Sequence, residues 1–200
     1  MKRTVVFDFD KTLTYKDSLF GFFKFCAPKN AAYPFKTALF FFLMAVSGTG
    51  LLKNERLKNA GIRLFLSRLN KEKLEEKSRT FAAGIKLNRI YYENFKKKHA
   101  SEKKVIVTAS FSLYVKPIFP EAVVAATEIS FKENHPFRVS FNCWGNNKRA
   151  RLKELGIDKI DVLYTDSLND RSLIEIADTI YKVRKETLTE CRSLSDFRNF

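Results

Sequence analysis

The chain has 200 residues, 45% of them hydrophobic, with 37 Lys or Arg against 22 Asp or Glu and a formal net charge of +15. That length and apolar content can bury a sizeable core, which excludes a wholly disordered chain and suits one domain or one domain carrying an insertion. The charge is uneven: residues 16–100 hold 18 basic and 6 acidic side chains, +12, and the rest of the chain only +3. An anionic partner is therefore expected at that segment. Cys26, Cys143 and Cys191 are an odd number without paired spacing, which argues against a disulfide framework or a zinc site and for a reducing, cytoplasmic setting. Lys2 and Arg3 precede only a short apolar run before Asp8, so no signal peptide is expected.

Strand-like runs fall at Thr4 to Phe9, Val105 to Thr108, Val123 to Ala126 and Ile160 to Tyr164, with helical patterns at Ser112 to Phe119, Asn147 to Leu155 and Asn169 to Ala177. Strand and helix alternating in this way predict an α/β fold with a parallel sheet and crossover helices. Between Ile129 and Ser140, two short alternating runs flank Glu133-Asn134-His135-Pro136 and predict a hairpin. The polar residues after about Thr187 are expected to form a poorly ordered tail. Residues 16–100 differ in texture, with long helical patterns and few strand signals, and read as a helical insertion after the first strand. Within it Pro34 opens a helix that runs through the nine apolar residues Ala38 to Val46 until Ser47-Gly48 stops it. Nine are too few to cross a bilayer, although a helix lying in an interface fits.

The chemistry gathers at strand ends. Asp8 and Asp10 follow Val5-Val6-Phe7, Thr108 follows Val105-Ile106-Val107, and Asp166 follows Val162-Leu163-Tyr164. In an open parallel sheet those ends line the crevice where ligands bind, so the three clusters should converge. Two aspartates one residue apart repel, and a divalent cation with oxygen ligands, magnesium above all, is the usual partner that offsets this. Lys148 follows Gly145-Asn146-Asn147 at a helix start, where a cation and free backbone N–H groups suit a phosphate. Singly, each residue has a plainer role as turn former, helix-end charge, satisfied hydroxyl or surface lysine. The recurring strand-end context is what favours a shared site.

These segments, in this order, resemble the haloacid dehalogenase superfamily of phosphohydrolases. Asp8-Phe9-Asp10-Lys11-Thr12 matches the first motif, Val105-Ile106-Val107-Thr108 the second, Lys148 the third and Asp166-Ser167-Leu168-Asn169-Asp170 the fourth. The resemblance implies a Rossmann-like three-layer core, residues 1–15 and 101–200, with a helical C1-type cap over residues 16–100. It also implies Asp8 as covalent nucleophile and Asp10 as acid and base. Magnesium would be held by Asp8, Asp166 and the backbone carbonyl of Asp10, and the phosphoryl oxygens by Thr108, Ala109 and Lys148. Asp170 and Thr12 would support the site. The chain departs from the common pattern with Lys11 in place of Gly, Thr108-Ala109-Ser110 in place of Ser-Gly-Gly, and Tyr164-Thr165 before the fourth motif.

Cap position and motif variants are similar to the subfamily, IB, that includes phosphoserine phosphatases and phosphatidylglycerophosphatase C enzymes. The latter likeness extends to Asp17-Ser18-Leu19-Phe20, a long apolar stretch early in the cap, and Cys143-Trp144-Gly145-Asn146-Asn147-Lys148. It implies a lipid or amphiphilic phosphate such as phosphatidylglycerol phosphate, with Asp17 a candidate reader of the head group or a helix cap. Phenylalanines at 20, 22, 23, 25, 35, 40, 41 and 42 beside lysines suit contact with an anionic membrane, or equally the cap's own core. The competing readings are a phosphatase for a soluble metabolite such as phosphoserine and, ranked low, a binding module for nucleic acid or another anion. No nucleic-acid partner is expected, and His99 and His135 receive no role.

Overall fold

In the run Thr4-Val5-Val6-Phe7 the last three residues are fully buried on both sides, as a central parallel strand must be. In the computed structural model, which describes residues 2–131 and 137–199, this run is β1 (Thr4–Phe7). It lies between β2 (Lys103–Phe111) and β5 (Ile160–Thr165), parallel to both. With β3 (Val123–Ser130), β4 (Arg138–Phe141), β6 (Ala177–Arg184) and β7 (Thr187–Cys191) the sheet has seven strands in the order β4-β3-β2-β1-β5-β6-β7. Only the two edge strands, β4 and β7, run antiparallel to their neighbours. The α/β class and the parallel sheet are as the sequence predicts.

Between β1 and β2 the chain is mostly helical. It forms four α-helices, α1 (Leu19–Cys26), α2 (Tyr33–Gly48), α3 (Asn54–Gly61) and α4 (Lys71–Ala83), with π-helical segments at Ile62–Leu66, between α3 and α4, and at Tyr91–Lys98, ahead of β2. Their apolar residues share one hydrophobic cluster with Phe7, Phe9 and Phe111 on one face of the sheet. Gly61 is where this packing is tightest, since a Cβ there would lie 2.3 Å from the Phe23 ring and 2.9 Å from Phe40. The opposite face, built from Val6, Val107 and Leu163, is covered by α6 (Asn146–Glu154), α7 (Arg171–Ile174) and the terminal α8 (Leu194–Asn199), while α5 (Ser112–Val115) follows β2.

The structure corrects several expected boundaries. The helix from Ser112 is cut at Val115 and continues only as a 3₁₀ turn over Lys116–Ile118, since Pro117 supplies no N–H to an α-helix. The helical pattern expected to reach Ala177 ends at Ile174, and Ala177 instead opens β6. The expected tail is ordered: β7 pairs with β6 and buries Cys191, and Phe197 of α8 packs on the core. The strands flanking the expected hairpin pair as β3 and β4, and its turn lies outside the described residues. Phe40, one of three adjacent phenylalanines, is buried against Phe23 and Phe65, whereas Phe41 and Phe42 are 50% and 64% exposed. Among the described residues no helix is long and apolar enough to cross a membrane.

Candidate active site

The loop leaving β1 determines where its aspartates stand. Asp8 stays on the ladder by donating its N–H to Tyr164 O at 2.9 Å, and then the chain winds around the carbonyl of Phe9, which accepts N–H bonds from Thr12, Leu13 and Thr14. That tight turn puts Lys11 at a φ of +59°. A left-handed conformation costs a non-glycine residue on the order of 1–2 kcal/mol, which explains why glycine is common there. Asn88 clamps the turn from the insertion through bonds to the carbonyls of Thr12 and Thr14.

The strand ends do converge. A cleft of about 270 Å³ is lined by Asp8, Asp10, Thr108, Ala109, Lys148, Asp166 and Asp170, together with Lys11, Asp17, Asn54 and Trp144. Lys148, 4% exposed, is held at the start of α6 by the turn at Gly145, whose φ of +58° favours glycine. Its Nζ donates to Asp8 Oδ1 at 2.8 Å and forms an ion pair with Asp170 Oδ1. Asp170 is anchored in turn by Thr165 Oγ1, 2.7 Å from its Oδ2. Burial pushes Asp8 well above the ordinary carboxylate pKa; Lys148 opposes this, while the charges of Asp170 and Asp166 add to it. Burial opposes the charge on Lys148, but Asp170 and Asp8 together hold its pKa above the ordinary lysine value. The lysine therefore stays cationic between two carboxylates.

Asp10 belongs to a second network. Its Oδ1 accepts the Ser18 N–H at 2.8 Å and its Oδ2 accepts the Ser110 hydroxyl; Ser18 Oγ then lies 3.1 Å from Ser110 Oγ and 2.9 Å from the Tyr114 hydroxyl. Burial, reinforced by Asp17, lifts Asp10 to about 6, with the Ser110 and Ser18 hydrogen bonds working the other way. Thr108 is buried, and its Oγ1 accepts the Ser110 N–H at 3.0 Å. Thr12 makes only a long, 3.5 Å contact with Asp8 Oδ2. Asp17 is exposed, caps the start of α1 by accepting the Leu19 N–H at 3.0 Å, and also borders the cleft.

Sequence reasoning missed Ser18, Ser110, Thr165 and, above all, Lys58. This lysine of α3 is 1% exposed and reaches into the cleft wall, donating to Ala109 O at 2.6 Å, Asn142 Oδ1 at 2.6 Å and Thr127 Oγ1 at 2.9 Å. Its neighbour Asn59 accepts the Val139 N–H of β4, so α3 is tied to the sheet at two consecutive positions. His99 is a buried structural histidine between Glu102 and the Tyr164 hydroxyl.

Among the described residues no three His, Cys, Asp or Glu side chains gather into a ready-made cation cage. Two carboxylates, Asp8 and Asp166, do face the same cleft, close enough for Asp166 to raise the pKa of Asp8, and Asp166 is itself raised, chiefly by burial. Hard oxygen donors in that number fit magnesium, which is commonly held by one or two carboxylates while keeping several waters. The carboxylate of Asp10 is committed to Ser18 and Ser110.

The fold and these strand-end residues define a hydrolase class, and the comparisons agree. The family model for haloacid dehalogenase-like hydrolases matches residues 5–175, and the chain belongs to that family. No curated protein matches by sequence. Among solved structures it is similar to a protein of unknown function from Bordetella pertussis Tohama I, at 21% identity over 88% of this chain and 87% of that one with a TM-score of 0.72. A phosphoserine phosphohydrolase-like protein from Francisella tularensis subsp. tularensis SCHU S4 is 19% identical over 90% and 86% with a TM-score of 0.64. A phospho-aspartyl intermediate analogue of phosphoserine phosphatase is 20% identical over 90% and 85% with a TM-score of 0.60. At such identities the likeness is one of fold.

Proposed function

We propose that the protein is a phosphomonoester hydrolase that works through an aspartyl phosphate on Asp8. The observation that carries this is the buried Asp8–Lys148–Asp170 chain at the base of a cleft that also holds Asp10, Thr108 and Asp166. A carboxylate oxygen of Asp8 attacks phosphorus and the bond from phosphorus to the leaving oxygen breaks, with Asp10 giving that oxygen its proton. Water then attacks phosphorus, Asp10 takes a proton from it, and the bond to Asp8 breaks to release inorganic phosphate. A pKa of about 6 suits Asp10 to both transfers near neutrality. Lys148, the Thr108 hydroxyl and the backbone at Ala109 face the equatorial oxygens, where a fixed cation and fixed donors count most in a site sheltered from water. Magnesium, held by Asp8, Asp166 and the backbone carbonyl of Asp10, would supply compensation for the charge that develops on the phosphoryl group. Asp170 keeps Lys148 in place.

For the substrate we favour a lipid or amphiphilic phosphate such as phosphatidylglycerol phosphate. Phe35, Phe41, Phe42 and Leu51 are exposed by 78%, 50%, 64% and 82% on the segment that carries +12, a combination suited to an anionic membrane surface. Toward the leaving group the cleft presents the carboxylate of Asp17, and beside it Asn54, whose side-chain oxygen is buried without a hydrogen-bond partner. The lysine that the insertion contributes there, Lys58, has its donors committed to protein oxygens. Acceptors of this kind favour a hydroxyl-bearing leaving group over the carboxylate of phosphoserine.

The test is a phosphate-release screen over phospholipid and small monoesters, with and without magnesium. Magnesium-dependent release, strongest on a glycerol-type phospholipid and absent in Asp8→Asn, is expected. Release that survives Asp8→Asn would overturn the reaction, and preference for phosphoserine would overturn the substrate.

A further inference from the structure

We propose that Lys58 is a positioning residue for Thr108, acting from the insertion through a single peptide unit of the β2 end. The inference rests on the phosphatase reading, in which the Thr108 hydroxyl meets a phosphoryl oxygen. The peptide between Ala109 and Ser110 is planar, so its C=O and N–H point to opposite edges. On one edge the Ala109 carbonyl accepts hydrogen bonds from Lys58 Nζ at 2.6 Å and Thr127 Oγ1 at 2.7 Å. On the other the Ser110 N–H donates to Thr108 Oγ1 at 3.0 Å. A cation on the carbonyl polarises the unit and strengthens the bond its N–H makes. Because Thr108 Oγ1 accepts that bond, the hydroxyl keeps its own hydrogen to donate into the cleft.

The remaining contacts of Lys58 point the same way. Thr127 Oγ1, which accepts from Lys58, also accepts the Cys143 N–H at 3.1 Å, and Asn142, a second acceptor of Lys58, receives the Asn147 side-chain amide on its carbonyl at 2.9 Å. These residues form the approach to α6 and Lys148. They fix where the ammonium sits, while Lys148 itself is held independently by Asp8 and Asp170. As plain packing Lys58 is a poor choice, because a buried charge with only neutral acceptors is less favourable than an apolar side chain of similar volume. Burial pulls Lys58 down to about 7, with Cys143, Asp10 and Asp17 opposing and Lys148 adding to the shift.

The experiment is a double-mutant cycle of Lys58→Met and Thr108→Ala, with turnover of p-nitrophenyl phosphate and thermal melting recorded for each variant. Lys58→Met is expected to lower kcat roughly ten- to thirtyfold with KM within about threefold, a fraction of what a lost direct donor costs. In the Thr108→Ala background the same change should alter kcat by less than about twofold, because its route to the substrate is gone. An unchanged kcat, or an equal loss in both backgrounds, would overturn the proposal. If Lys58→Met does not fold, Thr127→Val removes the second donor to the same carbonyl and should show a smaller loss, also silent without Thr108. Repeating the cycle on inorganic phosphate affinity separates the two proposals. A wild type that turns over no monoester, yet loses phosphate affinity on Lys58→Met only when Thr108 is present, faults the reaction and sustains Lys58.

Discussion

The sheet and the insertion each bury one lysine beside the cleft, and the two are treated oppositely. Lys148, from the sheet side, sits between the carboxylates of Asp8 and Asp170, which hold its proton against burial. Lys58, from the insertion, has three neutral oxygens and no carboxylate in contact, so burial wins and its pKa falls to about 7. The contrast separates two tasks. In the proposed reaction the charge that meets a phosphoryl group is locked on by countercharges, whereas the one that aligns a peptide is held by three directed hydrogen bonds to neutral oxygens.

Breaking the sheet side should cost most. Asp8→Asn is expected to lower phosphate release by at least about 10⁴-fold, because it removes the attacking oxygen anion itself. Lys148→Ala should lower kcat on the order of 10²–10³-fold, and Lys148→Arg should not restore it, since a planar guanidinium cannot take the place of a compact ammonium between two buried carboxylates. Steady-state kinetics on any accepted monoester measures both. A Lys148→Ala loss no larger than that of Lys58→Met would erase the distinction between the two lysines.

Changes confined to the insertion should be smaller and of a different kind. Replacing Phe35, Phe41 and Phe42 by Ser is expected to lower vesicle co-sedimentation and lipid-phosphate turnover at least about tenfold while leaving a soluble monoester within about twofold, since full burial of each ring is worth roughly 1.5–3 kcal/mol and partial insertion of all three already exceeds the ~1.4 kcal/mol that a tenfold change needs. Phe40 is excluded from that set because it is 1% exposed, and a polar group there would strike the core. Gly61→Ala, with its Cβ driven into Phe23, should lower stability by about 1–3 kcal/mol in chemical denaturation. The smallest effect expected concerns His99, whose pKa burial lowers despite the opposing Glu102. The unfolded chain then takes up a proton near the ordinary value of 6.5 before the folded one does, so stability should fall as pH drops below that value. Melts of wild type and His99→Gln at pH 7.5 and 5 should show the wild type losing more.

How much of this was legible in the sequence depended on the range of the contacts. Asp8, Asp10, Thr108 and Asp166 each end an apolar run, so local periodicity alone brings them to one edge of a parallel sheet. Lys148 and Asp170 needed only short offsets from a turn and from Asp166. Lys58 was invisible because its partners lie 51, 69 and 84 residues away, and a lysine in a polar helix reads as solvated. Ser110, whose hydroxyl reaches Asp10 and lies near Ser18, was hidden in the same way, although its place two residues after Thr108 was a usable signal. In β7 half-buried Leu188 and Thr189 lie between exposed Thr187 and Glu190 along an edge, a pattern that a single sequence does not separate from a polar tail. The three adjacent phenylalanines looked alike, and only the packing of α2 against Phe23 and Phe65 divides Phe40 from Phe41 and Phe42.

The most direct measurement is a single turnover with a ³²P-labelled monoester, quenched in acid and mapped by peptide. Label on the peptide containing Asp8, lost on treatment with hydroxylamine and missing in Asp8→Asn, is the expected result. Full release of labelled phosphate with no label passing through that peptide at any time would contradict it.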